Sequence, residues 1–168
     1  MKFVGQEFFL QDAYTAAQQL IGKWICRNID GKIFKFQITE TECYYGTGDT
    51  ACHASKGKTA RTSIMWHKGG VCYVYLCYGI HNMLNFITGE ENHPEGVLIR
   101  GVKGAPGPGR ASKAMGINKS LYGESLLTSE KIWVEDDGKP YSFTYGKRVG
   151  IGYASQEDQD RLWRFTLE

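Results

Sequence analysis

The chain has 168 residues, 42% hydrophobic and 23% charged, with a formal net charge of +2. That length and balance fit one globular domain, residues 1–168, with a core of its own. No apolar run approaches the roughly 20 residues a membrane-spanning helix needs, and so weak a net charge does not by itself mark a nucleic-acid binder.

MKFVGQEFFLQD opens the chain with one lysine and no small-residue cleavage site, so it reads as mature sequence rather than a signal peptide. Asp12 followed by AYTAAQQLIGK reads as an N-cap, a short helix with Ala13, Ala16, Ala17 and Leu20 on its apolar face, and a stop at Gly22. KWICRNI and KIFKFQIT flank Asp30-Gly31, a hairpin signal. Along the second strand, alternation places Phe34, Phe36, Ile38, Glu40, Glu42 and Tyr44 on one face and leaves Lys35, Gln37, Thr39 and Thr41 for water. Two carboxylates that continue an apolar face are partly desolvated, and such groups are candidates for chemistry.

From Gly46 to Gly70 the chain is rich in Gly, Thr, Ser, Lys and His with little periodicity, which predicts a long loop with at most a short helix. VCYVYLCYG and IHNMLNFIT read as two β segments interrupted at Gly79, and GVLIRGV as a short central strand. GAPGPGRASKAMGI starts with Pro and Gly and turns helical, and the tail carries short strands that end in LWRF. The layout predicts an α+β fold: a curved antiparallel or mixed β-sheet flanked by short helices.

Five cysteines, Cys26, Cys43, Cys52, Cys72 and Cys77, form no framework spacing and predict free thiols in a reducing, intracellular compartment. Cys52, His53, His67, Cys72, Cys77 and His81 supply metal-ligand types, but no C-x-x-C pair or H-E-x-x-H helix, so no metal is expected. Lys56, Lys58, Arg61 and Lys68 form one basic group, and Lys103, Arg110, Lys113 and Lys119 a second; alone they read as two solvated loops. Ten tyrosines, several beside the segments above, suit strands and also suit stacking of a flat ring. On residue type alone, Glu42 and Glu40 are equal candidates for an acting carboxylate. Likewise His53 fits a satisfied core position, Asn85 a turn cap, and Arg100 an ion-pair partner for either glutamate.

Taken in order, LIGK, ITETECYYGTGDTACHA, KTARTSIM, CYVYLCYGIHNMLN, PEGVLIRG, GPGRASKAMGI, RVGI and WRF resemble the alkyladenine (3-methyladenine) DNA glycosylase family over nearly the whole chain. The resemblance implies a monofunctional glycosylase that flips and excises alkylated or deaminated purines of the 3-methyladenine, hypoxanthine or ethenoadenine type. Glu42 matches the family's general base and Arg100 the arginine that helps it position water. Tyr44 and Tyr75 match the walls of the base pocket, His53 and Asn85 its polar contacts, and Cys52 its lining. Tyr78 matches the residue on a hairpin that wedges into the duplex. No metal or organic cofactor is implied. The implied partner is double-stranded DNA containing damaged purines; a monomer is expected, since it must wrap one side of a duplex, in the cytoplasm with the nucleoid or in a nucleus. A catalytically weak member that binds damaged DNA is the alternative. The chain departs from the family pattern at Thr62, at Gly101 to Gly104, at Arg110-Ala111 and at Leu162.

Overall fold

The computed structural model describes residues 1–168, with elements in the order β1 (Lys2–Phe3), α1 (Gln6–Phe9), α2 (Ala13–Leu20), β2 (Trp24–Ile29), β3 (Lys32–Tyr44), β4 (Cys72–Cys77), β5 (His81–Ile87), β6 (Gly96–Val102), β7 (Ala105–Pro106), α3 (Pro108–Ala114), β8 (Ile132–Asp136), β9 (Phe143–Gly146), α4 (Gln156–Asp160) and β10 (Arg164–Leu167). Short 3-10 turns occupy His53–Lys56, Ser63–Trp66 and Lys119–Leu121. The strands run β1-β8-β2-β3-β6-β5-β4, with β10 bridging β3 and β9 and with β7 on β6. Every strand pairing is antiparallel, and the sheet curls into a half-barrel with a few short helices. The α+β expectation therefore holds, with the antiparallel alternative realised. No helix is long and apolar enough to cross a membrane.

Local chemistry sets the elements. Asp12 caps α2 by accepting from the Thr15 N–H at 2.8 Å and the Thr15 hydroxyl at 2.9 Å. Asp30 and Gly31, with φ of 52° and 82°, form the tight turn between β2 and β3. The main core gathers α2, the inward faces of β2 to β6 and the helix α3. All five cysteines are free, and four are buried.

One expectation fails, and the failure builds the site. β3 does not keep a single face along its length. Its pairing with β6 runs Ile38 to Val102, Glu40 to Gly101 and Thr41 to Ile99, so the register slips between Ile38 and Glu40 and again between Glu40 and Thr41. A residue left out of the ladder rotates everything beyond it by one face. Ile38 lies in the main core, and so does Cys43. Thr41, expected to face water, is fully buried and donates its hydroxyl to the Ala17 carbonyl of α2 at 2.8 Å. Glu40, Glu42 and Tyr44 thus do not continue the face of Phe36 and Ile38. They point to the side of the sheet opposite the helices. Gln37, also expected in water, is buried and donates to the Gly22 carbonyl at 3.2 Å.

Replacing Thr41 separates the two face assignments. Thr41→Lys should destabilise the fold by about 3 kcal/mol or more, because the ammonium would be buried unpaired against α2. Urea titration of the variant reads this directly, and wild-type stability would restore the unbroken alternation.

Candidate active site

The face opposite the helices receives alternate residues from three strands. β4 sends Tyr73 and Tyr75 there while Cys72 and Val74 enter the main core. β5 sends Met83 and Asn85 there while Leu84 and Phe86 enter the core. β3 contributes Glu42 and Tyr44 after its change of face. The 3-10 turn at His53–Lys56 brings His53 and Cys52 over the top. Tyr44, Cys52, His53, Tyr75 and Asn85 line one small inner pocket, joined by Met65, Tyr73, Gly96 and Tyr153. In front of it lies an open cleft of about 520 Å³ lined by Tyr78, Leu98, Arg100 and Val149 among others, and sharing Tyr44, His53, Tyr75 and Tyr153 with the pocket.

Glu42 is the chemical centre of this arrangement. Its side chain is fully buried between two strands, paired with Leu98 of β6 on one side and Arg164 of β10 on the other. Tyr44 donates its hydroxyl to Oε1 at 2.9 Å, and the Val149 N–H donates to Oε2 at 2.8 Å. An Arg100 Nη1 stands 3.8 Å from Oε2. Burial pushes the Glu42 pKa up, while the Arg100 charge, the Val149 N–H, the Tyr44 hydroxyl and the Arg148 charge pull against it; the net shift is upward. Glu40 differs in kind. It is half-buried and forms an ion pair with Arg100 Nε at 2.6 Å, with Arg164 at 3.7 Å. Arg100 therefore touches both carboxylates, held by Glu40 and aimed at Glu42.

His53 is only part-buried, and its Nδ1 lies 2.8 Å from the Tyr73 hydroxyl. Its ring meets Tyr75 edge-on, with centroids 4.6 Å apart. Burial, followed by the charges of Arg61 and Lys56, lowers its pKa to about 4, so the imidazole is neutral at pH 7. Burial raises the Tyr73 hydroxyl to about 12 and the Cys52 thiol to about 11, which keeps both protonated. Asn85 donates to the Tyr73 carbonyl at 3.3 Å. Tyr78 is set apart from all of these. It stands at the tip of the β4–β5 hairpin, 88% exposed, with φ of 52°. Tyr78 and Gly79, with φ of 52° and 69°, are the central residues of the turn that the Ile80 N–H closes onto the Cys77 carbonyl at 3.2 Å, which requires left-handed backbone at both.

Three features were not found from the sequence. Arg148 forms a buried bidentate ion pair with Asp49, two hydrogen bonds at 2.6 and 3.0 Å, and also donates to the Cys43 carbonyl at 3.0 Å. Its guanidinium sits between the Tyr44 and Trp163 rings, 5.1 and 4.8 Å from their centroids. That anchor fixes the next residue, Val149, whose N–H holds Glu42. Tyr153 lines both pocket and cleft. Asp49 and Arg148 both lie in motifs quoted above, but 99 positions separate them, and only the fold shows that they pair. The six Cys and His positions considered for a metal do not converge: no three His, Cys, Asp or Glu side chains gather in a ligating group.

The methylpurine-DNA glycosylase family profile matches residues 7–105 and 103–168. Among similar proteins, one from Psychrobacter cryohalolentis is 41% identical, covering 90% of this chain and 85% of its own. One from Borreliella afzelii is 37% identical, covering 96% and 94% respectively. One from Clostridium perfringens is 37% identical, covering 98% and 95%. Each of these relatives is provisionally named a 3-methyladenine DNA glycosylase.

The Glu42 carboxylate costs the fold stability that its neutral form would not. Because its pKa in the fold lies above the unfolded value, the favourable contribution is full below about pH 4.3, the ordinary glutamate value, and is lost as pH rises through the raised one. Glu42→Gln stays neutral, can accept from the Val149 N–H and can donate to the Tyr44 oxygen. It should raise Tm at pH 7.5 by about 2–4 °C, or roughly 1 kcal/mol, with the gain vanishing near pH 4. Calorimetry across that range checks both halves.

Proposed function

The chain belongs to the methylpurine-DNA glycosylase family, and we propose that it excises alkylated or deaminated purines from duplex DNA by hydrolysis of the N-glycosidic bond. DNA glycosylase activity follows from the family. The damaged-purine range and the residue roles are our reading. The observation that carries them is a fully buried glutamate, held by a tyrosine hydroxyl, a backbone N–H and an arginine, beside a pocket walled by aromatic rings.

A base inside the stack is beyond the reach of such a carboxylate, so the nucleotide must leave the duplex, at a cost of a few kcal/mol that is least for damaged pairs. Tyr78, exposed at the hairpin tip, stacks in the gap left behind and offsets part of this cost. The purine enters between Tyr44 on one side and Tyr75 with His53 on the other, each stack contributing about 1–3 kcal/mol. An alkylated purine is cationic and gains further from the ring faces. Entry requires side-chain movement, because the inner pocket is only about 30 Å³. Tyr153 is the most exposed wall, at 59%, and is held by a bond from its hydroxyl to the Ala51 carbonyl at 2.7 Å.

Glu42 takes a proton from water as the oxygen bonds to C1′. The C1′–N bond breaks, and its electron pair returns to the purine ring. The carboxylate also stabilises positive charge developing on the sugar, as carboxylates do in glycoside hydrolysis. Arg100, tethered by Glu40, orients the water and favours the charged form of Glu42. Neutral bases such as hypoxanthine or ethenoadenine leave poorly without a donor. His53 supplies one in the tautomer whose Nδ1 accepts from the Tyr73 hydroxyl, 2.8 Å away, because the proton is then on Nε2. Asn85 sets the edge contact that discriminates among purines. No lysine lines the pocket or the cleft, so the reaction is hydrolytic and leaves an abasic site.

Single-turnover excision from duplexes with one damaged purine tests the role of Glu42. Glu42→Gln should lower the rate by at least about a hundredfold while binding to an abasic-site analogue is retained. Preserved excision would move the base role to Glu40.

A further inference from the structure

The inner pocket and the cleft meet a third cavity, and His53 and Tyr153 are the residues common to all three. This chamber of about 310 Å³ is otherwise walled by Cys52, Lys56, Gly57, Thr59, Arg61 and Thr62. Its charge is one-sided. Lys56 and Arg61 are cationic, and no carboxylate lines it. Neither cation forms an ion pair elsewhere. The Lys56 ammonium instead lies 5.7 Å from the centroid of the Tyr153 ring, on the partition itself.

The loop that presents these cations is tied down. The Thr59 N–H donates to the Thr62 hydroxyl oxygen at 2.9 Å, and the Thr62 N–H donates back to Thr59 Oγ1 at 3.2 Å. The Thr62 hydroxyl donates to the Gly57 carbonyl at 3.3 Å, and the Tyr122 hydroxyl to the Arg61 carbonyl at 2.7 Å. These bonds, with the two threonine hydroxyls 3.0 Å apart, occupy both hydroxyls and leave Lys56 and Arg61 as the charged donors of the chamber. Two cations without a carboxylate partner on an ordered loop around a cavity form a complement to negative oxygen.

We propose that this chamber is an oxyanion site opening onto the base pocket across His53 and Tyr153. Two sources supply that chemistry: a carboxylate on the substituent of a damaged purine, as in a carboxymethylated base, or a backbone phosphate of the DNA strand. The proposal rests on the reading of the pocket as a base pocket. It extends that reading to purines whose alkyl group carries an acid, which a purely aromatic pocket would reject for want of a counter-charge.

The test uses two duplexes that differ in one base, 7-methylguanine or 7-carboxymethylguanine. Single-turnover excision is measured for wild type, Lys56→Met, Arg61→Met and the double variant. Binding of both duplexes is measured at several salt concentrations in a Glu42→Gln background, and Tm confirms folding. If the oxyanion is on the base, the double variant loses about tenfold in rate and affinity for the carboxymethylated duplex alone. If it is a phosphate, both duplexes lose equally, and the salt dependence of binding falls by about 0.9 per lost contact. Folded variants that handle both duplexes as wild type does would overturn the site. Release of neither base by wild type would count against the proposed excision activity, while the binding comparison would still read the oxyanion site.

Discussion

The slip in register where β3 crosses β6 is the constraint on which the rest depends. Before it, β3 feeds Ile38 to the core; after it, the core takes Thr41 and Cys43, and Glu42 and Tyr44 turn to the other side. Without the slip, the glutamate would lie under α2 among apolar residues, an uncompensated charge of the kind folded proteins avoid. With it, the same strand supplies the core from one face and the site from the other. Pairing to β6 on one edge and β10 on the other leaves Glu42 no freedom to shift along the strand.

Burial and charge compete at that glutamate. Desolvation of a carboxylate costs several kcal/mol. The attraction of Arg100 at 3.8 Å is worth about 4 kcal/mol at an effective dielectric of roughly 20. The two are comparable, so the smaller contributions decide how far the balance moves, and it remains on the side of a raised pKa. The supports of those contributions are themselves braced. Glu40 holds Arg100, and the Asp49–Arg148 pair holds Val149, with Trp163 and Tyr44 stacked on the guanidinium. A carboxylate held in a nearly dry place thus draws on residues from β3, β6, the loop before α4 and the strand entry at β10.

Local rules carried much of the fold. The Asp12 cap, the Asp30-Gly31 turn and the two β segments interrupted at Gly79 are short-range signals, and each appears where the sequence places it. The resemblance to the glycosylase family supplied what alternation could not, the choice of Glu42 over Glu40 as the expected base. The structure separates these two by burial and by their different bonds to Arg100. The change of face in β3 was not legible along β3 itself, where Thr39 and Glu40 look like any strand residues; its one mark is Gly101 on β6, which pairs with Glu40 at the slip, and no local pattern reveals that pairing. The Asp49–Arg148 anchor was hidden for another reason. A contact between distant positions leaves no periodic trace, and both residues suit exposed loops by type.

The most direct measurement is a carbon-13 NMR titration of the glutamate carboxyl groups, with Glu42 assigned by comparison with Glu42→Gln. A buried base poised as described should titrate clearly above about 4.3, the ordinary glutamate value, and its protonation should disturb the Tyr44 hydroxyl and the Val149 amide together. An ordinary titration for Glu42, with no effect on either partner, would contradict the burial and the bonding from which its role is argued.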